Sequence, residues 1–290
     1  MIITARNGSL FMVDQNEHGR LTSELCERWG NDEFAVPHPQ TGTRVAAAMH
    51  DDGWRAADDE VRFNEKAGRP MHFLEIDLAD HVELYRRGVE RTLATDAYGG
   101  LLVSMHWTGL YRSRWGVQDS GVFANQDAAL TALLAEVVDD EERRWIELKR
   151  TLAADSRRSD FEVELWHNYE MLQAQDVLSL YVCMAVLEPA SDDAEIKPVT
   201  STLASLDQSP GVRTIDLVPT HPGRERTELR LTVLEPGVVA IDPFPFAGDA
   251  ISAAVTARVI PNRGYATAAE AQAAAAAAGH ATIACELRRA

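Results

Sequence analysis

Histidine and aspartate side chains occur at four places where an apolar run or helical spacing predicts that they face the interior. They are His18, the doublet His50-Asp51, His106 and Asp176. An imidazole or carboxylate in an apolar setting is costly unless it is paired, hydrogen-bonded or bound to a metal. Imidazole nitrogen and carboxylate oxygen are also the ligand set of zinc, iron or manganese. We therefore expect these groups to converge on one divalent metal ion.

Helical spacing places two of these residues on buried faces. His18 lies three residues before Leu21 and seven before Leu25, so its imidazole falls on the apolar stripe of a helix. Asp176 lies on an apolar helical stripe, four residues after Leu172, four before Leu180 and seven before Cys183. The alternatives are a core histidine bonded to a backbone carbonyl and a buried polar anchor between helices.

The doublet His50-Asp51 ends an apolar run over residues 43–49, and His106 follows a second apolar run over residues 101–105. A His-Asp pair that caps the end of a helix is the alternative for the doublet. His72 and His81 compete with His106 for a place at the site. His167 lies nine residues before Asp176, about half a turn around the helix, and is expected to point away from it.

The order of these residues resembles the HD-domain superfamily of metal-dependent phosphohydrolases, which are all-helical proteins. Their ligands are a histidine, then a His-Asp doublet, then a distant aspartate, and the likeness covers about residues 14–187. The Gly-Lys that commonly follows the doublet is replaced by Gly53-Trp54, and Arg55 is the next cation. More narrowly, the blocks QNEHGRL, HDDGW, LLVSMH, LQAQDVLSLYVC and DPFPF resemble a bacterial family, the domain of unknown function 3891.

The superfamily resemblance implies a metal-dependent hydrolase of a small-molecule phosphoester that uses a metal-activated water. The implied metal ligands are His18, His50, Asp51 and Asp176. Asp51 would also orient the water, and His106 would bind a second ion or the leaving oxygen. One alternative is a di-iron oxygenase of a small organic molecule, with His81 or His106 as an extra ligand. Another is a non-catalytic protein whose His/Asp cluster is structural.

The elements that must position these groups are mostly helices. Asn7-Gly8 predicts a hairpin over residues 1–13, and Asp14 is expected to cap the helix that follows, with Glu17 completing a capping box. Alternating residues between 229 and 259 predict strands. The expected fold is α+β and mostly α: an HD-like helical bundle with a small antiparallel sheet from the hairpin and the C-terminal strands. Residues 1–190 would form the helical part and residues 191–290 a β-rich segment packed on it as one compact unit.

Composition limits the partners. With 28 Lys and Arg against 45 Asp and Glu, the formal charge is −17, which disfavours nucleic acid and anionic membranes. Three cysteines are too few for a disulfide framework. Because the N-terminal residues have no apolar signal core, a cytoplasmic location is expected. The expected partner is a small-molecule substrate, and a homodimer is the assembly considered.

Overall fold

The computed structural model describes residues 1–112, 128–184, 196–199 and 212–290, and these residues contain eight α-helices and one large sheet. The helices within those residues are α1 (Gln15–Arg28), α2 (Gln40–Met49), α3 (Arg55–Asp59), α4 (Leu78–Thr95), α5 (Ala97–Tyr111), α6 (Ala128–Leu152), α7 (Arg158–Met184) and α8 (Ala268–Ala277). The α+β class with a majority of helix is therefore confirmed. No helix among the described residues is long and apolar enough to cross a membrane.

The sheet is larger than the sequence predicts, and it is mixed. Its strands are β1 (Ile2–Arg6), β2 (Ser9–Val13), β5 (Ile196–Pro198), β6 (Val212–Pro219), β7 (Arg226–Glu235), β8 (Val238–Asp242), β9 (Ala250–Pro261) and β10 (His280–Arg289). They lie in the order β1-β2-β9-β10-β8-β7-β6-β5, and a separate two-stranded ribbon joins β3 (Phe63–Asn64) to β4 (Arg69–Pro70).

The prediction of a small antiparallel sheet is wrong. Strand β10 pairs antiparallel with β9 but parallel with β8, and β5 pairs parallel with β6. Alternating residues identify a strand and its buried face, but they carry no information about its neighbours. Helix α8 connects β9 to β10, and this excursion leaves β10 inserted between β9 and β8.

The N-terminal hairpin forms as predicted and joins the C-terminal strands. Asn7 and Gly8 have φ of 45° and 75°, the positive values that a two-residue hairpin turn needs. Strand β1 pairs with β2 from Ile2 opposite Val13 to Arg6 opposite Ser9, and β2 pairs with β9. The first and last parts of the chain therefore share one sheet.

The predicted capping box at the start of α1 is wrong. The side chain of Asp14 makes no capping hydrogen bond and instead accepts one from Arg258 of β9 at 2.5 Å. Glu17 accepts a hydrogen bond from the backbone amide of Thr256 at 3.0 Å. Tertiary contacts with β9 have replaced the local cap, and they fix α1 against the sheet.

Helices α1 and α7 are shared between two hydrophobic cores. One core packs residues such as Leu21, Val177 and Leu178 against the sheet. The other packs Cys26 and Leu172 against α2, α4, α5 and α6. Because both sides of α7 are covered, its residues are buried around the whole circumference from His167 to Met184.

Candidate metal centre

Four side chains from three parts of the chain meet in the interior. The Nε2 atom of His18 lies 3.0 Å from Nε2 of His50, 3.0 Å from Oδ1 of Asp176 and 3.8 Å from Oδ2 of Asp51. The Nε2 atom of His50 lies 3.7 Å from Oδ2 of Asp51 and 3.7 Å from Oδ1 of Asp176. All four residues are buried, and Asp51 is the most exposed of them at 6%.

These separations suit a shared cation. Nitrogen and oxygen ligands bind zinc at about 2.0–2.2 Å, so neighbouring donors of a tetrahedral site lie about 3.3–3.6 Å apart. The observed distances of 3.0–3.8 Å lie on both sides of that range. The four residues predicted as metal ligands are therefore together in the structure, and they form donor groups that could hold a metal ion.

His18 is held in place by hydroxyl groups on α1 and α7. Its Nδ1 lies 2.6 Å from Oγ of Ser179. The hydroxyls of Thr22 and Ser179 donate to the backbone carbonyls of His18 and Asp176, each at 2.9 Å. In this arrangement Ser179 accepts from Nδ1–H of His18, which leaves the lone pair of Nε2 directed into the cluster.

A close approach of two helices brings His18 to His50. A Cβ atom placed on Gly19 would lie 2.7 Å from the carbonyl oxygen of Ala48, so only glycine allows α1 to pack this tightly on α2. His50 directly follows the last residue of α2, and its Nδ1 donates to the carbonyl of Ala47 at 2.9 Å. Its Nε2 also faces the cluster.

The cluster has a strongly negative environment around His50. Burial disfavours the charged imidazolium, but the carboxylates of Asp51 and Asp176 outweigh this effect and raise the pKa of His50 to about 9. Without a metal ion, a proton therefore supplies the positive charge that two buried carboxylates require.

Asp51 is positioned by α4. The hydroxyl of Tyr85 donates a hydrogen bond to Oδ1 of Asp51, while Oδ2 faces the two imidazoles. The segment after Asp51 packs directly on α4, since a Cβ on Gly53 would lie 2.0 Å from the carbonyl oxygen of Leu84. Burial and the Asp51 carboxylate raise the pKa of Tyr85 well above its ordinary value, so the phenol keeps its proton.

His106 of α5 borders the same cluster. Its ligand atom lies within 4.8 Å of those of His50 and Asp176, and its ring centroid is 5.2 Å from that of His50. The structure thus brings all five candidate residues together. His106 contacts the cluster on the side of His50 and Asp176, whereas Asp51 groups with His18 and His50.

The competing histidines lie elsewhere. His81 is hydrogen-bonded through Nδ1 to the hydroxyl of Tyr111, and burial lowers its pKa to about 3. His72 accepts a hydrogen bond from the amide of Leu74 and caps a short 3-10 turn. His167 belongs to neither donor group found among the described residues. Burial lowers its pKa to about 4, so it is neutral near pH 7.

Arg55, the first cationic residue after the His50-Asp51 doublet, is paired with the carboxylate of Asp52. Arg55 contacts Asp52 at 2.8 Å, and Arg91 of α4 binds the same carboxylate. Burial opposes the charge of Asp52, but hydrogen bonds from the two arginines outweigh it and lower the pKa of that carboxyl. This group of charges ties the segment after the doublet to α4.

Sequence reasoning missed the residues that orient the ligands. Tyr85 looks like one more member of an apolar helix face, and nothing in its spacing connects it with Asp51. Ser179 and Thr22 carry a weak signal, because each lies one helical turn after a candidate ligand, Asp176 and His18 respectively. Polar residues repeated at that spacing on a buried face indicate a shared site.

The fold and this cluster define an α+β protein with a buried group of histidine and aspartate donors between its helices. The chain belongs to the family DUF3891, described as a protein of unknown function, whose sequence model matches residues 1–262. The narrower of the two resemblances is therefore confirmed. No curated protein and no solved structure matches the chain.

Proposed function

We propose that His18, His50, Asp51 and Asp176 bind one divalent transition-metal ion, and that the protein is a metal-dependent hydrolase. The observation that carries the proposal is the convergence of four buried donors, in which each carboxylate has an oxygen within 3.0–3.8 Å of both imidazole nitrogens and the two nitrogens are 3.0 Å apart. Zinc, iron and manganese all accept this ligand set.

A purely hydrogen-bonded cluster accounts for these distances less well. A hydrogen bond fits the 3.0 Å between His18 and Asp176, but Oδ2 of Asp51 is 3.7–3.8 Å from both imidazoles, beyond hydrogen-bonding range. The two Nδ1 atoms are already engaged with Ser179 and Ala47. A single central cation can bind all four donors at once, whereas a proton shared in a hydrogen bond joins only two of them.

One metal ion suits the donors better than two. The di-iron alternative needs further ligands, and His81 is engaged with Tyr111 while His106 adds only a single imidazole. Five side chains around one position therefore favour a mononuclear site, in which His106 stays available for substrate.

The order of the ligands along the chain is similar to that of the HD-domain phosphohydrolases, which favours a phosphoester of a small molecule as substrate. When bound, the ion would polarise a phosphoryl oxygen and acidify a coordinated water. Oδ2 of Asp51 is the carboxylate atom that faces the cluster and can orient that water. His106 is placed to hydrogen-bond the phosphoryl or leaving oxygen beside His50.

Metal content tests the site directly. The protein is stripped with a chelator, dialysed against Zn²⁺, Mn²⁺ or Fe²⁺, and analysed by plasma mass spectrometry. We expect one equivalent in the wild type and in His167→Ala, a control that removes another buried histidine. His50→Ala and Asp176→Asn should retain little metal. A wild type that takes up none of the three ions, or variants that match it, would reject the proposal.

Hydrolysis is tested separately with chromogenic phosphomonoesters and phosphodiesters. The metal-loaded wild type should hydrolyse one of these classes, and chelation should abolish the activity. His106→Ala should keep its metal but lose activity by about 10²-fold or more, as expected for a group that assists proton transfer. A metal-loaded wild type inactive on both classes would remove the phosphoester assignment while leaving the metal site intact.

A further inference from the structure

We infer that Tyr85 is the positioning residue that makes Asp51 a one-oxygen ligand. This inference rests on the proposed metal site and concerns how that site is held in shape. The tyrosine hydroxyl occupies Oδ1 of Asp51, so only Oδ2 is presented to His18 and His50. The hydrogen bond thus favours an orientation of the carboxylate in which Oδ2 is the oxygen that would bind a cation.

The phenol is fixed independently of Asp51. Tyr85 is buried, and its ring is stacked on Trp107 at an interplanar angle of 13°. On another side it lies against the ring of His81, with 4.6 Å between centroids. Aromatic neighbours on two sides leave the hydroxyl little freedom, so the hydrogen bond to Asp51 has a set direction.

The neighbours of Tyr85 are themselves locked together. The indole of Trp107 donates to the hydroxyl of Tyr111 at 2.8 Å, and that hydroxyl is 2.8 Å from Nδ1 of His81. Trp107, Tyr111 and His81 thus form a hydrogen-bonded group of side chains from α4 and α5. Tyr85 packs against this group and connects it to Asp51. The close packing of α4 on the backbone at Gly53 also fixes how far Tyr85 of α4 lies from Asp51.

The consequence is a controlled number of ligands. With Asp51 contributing Oδ2 and Asp176 contributing Oδ1, the oxygen that lies nearest to the histidines, the two histidines and two aspartates supply four donor atoms in all. A fifth position then remains for a water or substrate, which an Asp51 bound through both oxygens would fill. Partners that hold a ligand by hydrogen bonding usually contribute 10–100-fold to metal affinity.

The test compares Tyr85→Phe with Tyr98→Phe. Tyr98 is a matched control, because it is also a buried tyrosine and its hydroxyl accepts a hydrogen bond from Asn168 at 2.7 Å, on another part of α7. Binding of Zn²⁺ is measured by competition with a chromogenic chelator, and the Co²⁺ form is examined by absorption spectroscopy, which reports coordination number. Thermal unfolding of the metal-free proteins checks that each variant is folded.

We expect Tyr85→Phe to bind Zn²⁺ about 10–100-fold more weakly and to change the Co²⁺ spectrum, whereas Tyr98→Phe should match the wild type in both. Unchanged affinity and spectrum in Tyr85→Phe would overturn the inference while the metal site stands.

Two further outcomes are separable. A wild type that binds neither Zn²⁺ nor Co²⁺ overturns the metal site itself, together with this inference. If Tyr85→Phe does not fold, the wild type labelled with ¹³C at the tyrosine Cζ supplies the readout. One equivalent of Zn²⁺ should then shift one buried tyrosine resonance, and no shift would count against the role of Tyr85.

Discussion

At the scale of single residues, the geometry of the cluster depends as much on the Nδ1 atoms of His18 and His50, which bond to groups outside it, as on the Nε2 atoms that face it. Nδ1 of His50 is satisfied by a backbone carbonyl, which no substitution removes. Nδ1 of His18 is satisfied by the hydroxyl of Ser179, which a substitution does remove. The two histidines therefore differ in how easily their orientation can be disturbed.

Ser179→Ala should weaken metal binding without unfolding the protein. The substitution leaves Nδ1 of His18 without its acceptor, so the ring loses its fixed orientation, and we expect about 10-fold weaker Zn²⁺ affinity in chelator competition. Ser104→Ala is the control, since Ser104 of α5 is a buried serine that donates to Glu141 of α6 at 2.7 Å. Equal affinities for the wild type and Ser179→Ala would show that the ring is held by other contacts.

Gln173 is a second residue-scale case, because it is buried and neither amide atom has a hydrogen-bond partner among the described residues. A desolvated amide without a partner costs free energy, so the isosteric Gln173→Met should raise the free energy of unfolding by about 1 kcal/mol. Denaturant titration measures this change.

The contrasting variant is Asn168→Leu. The side-chain amide of Asn168 donates to the hydroxyl of Tyr98 at 2.7 Å, and the loss of this hydrogen bond should lower the free energy of unfolding. If Gln173→Met is also destabilising, the carboxamide has a partner that stabilises the fold, such as a bound water.

At the scale of elements, the approach of α1 to α2 decides whether the two histidines meet. Gly19→Ala places a methyl group 2.7 Å from the carbonyl oxygen of Ala48, so the helices must separate. We expect a loss of about 1–3 kcal/mol in the free energy of unfolding, as for other overpacked positions. Zn²⁺ affinity should fall as well, because His18 and His50 lie on the two helices that move apart.

Gly264→Ala is the control for this change, since a Cβ there meets no atom within 4 Å. Thermal unfolding and chelator competition on the two variants separate a packing effect from a general cost of replacing glycine. A Gly19→Ala protein with wild-type stability and affinity would mean that the helix pair tolerates the added methyl group.

The helices and strands also show how much of this structure the sequence predicts. Spacing alone placed His18 on a buried face and located the hairpin at Asn7-Gly8, because both are local properties of the chain. The neighbours of β10 could not be predicted, since pairing depends on contacts between distant segments. The cap of α1 failed for the same reason, as Arg258 takes the carboxylate of Asp14. Tyr85 was missed because its partner lies 34 residues away.

At the scale of the whole molecule, the cluster joins parts of the chain that are far apart. His18 and Asp176 are separated by 158 residues, and they lie on the two helices that both hydrophobic cores share. A cation between them would connect α1, α7 and the segment after α2. It would also neutralise two buried carboxylates in a chain of formal charge −17.

Metal binding should therefore stabilise the whole fold. An ion that binds only the folded state adds about 2.7 kcal/mol at a free concentration 100-fold above its dissociation constant. In a chain of this size that corresponds to a rise of about 4 °C in Tm. Scanning calorimetry of chelator-treated wild type with added Zn²⁺ should show this rise as one transition, because the ligands span both cores. His50→Ala should show none, and His167→Ala should behave as the wild type. A rise of equal size in His50→Ala would place the stabilising ion elsewhere on this acidic surface.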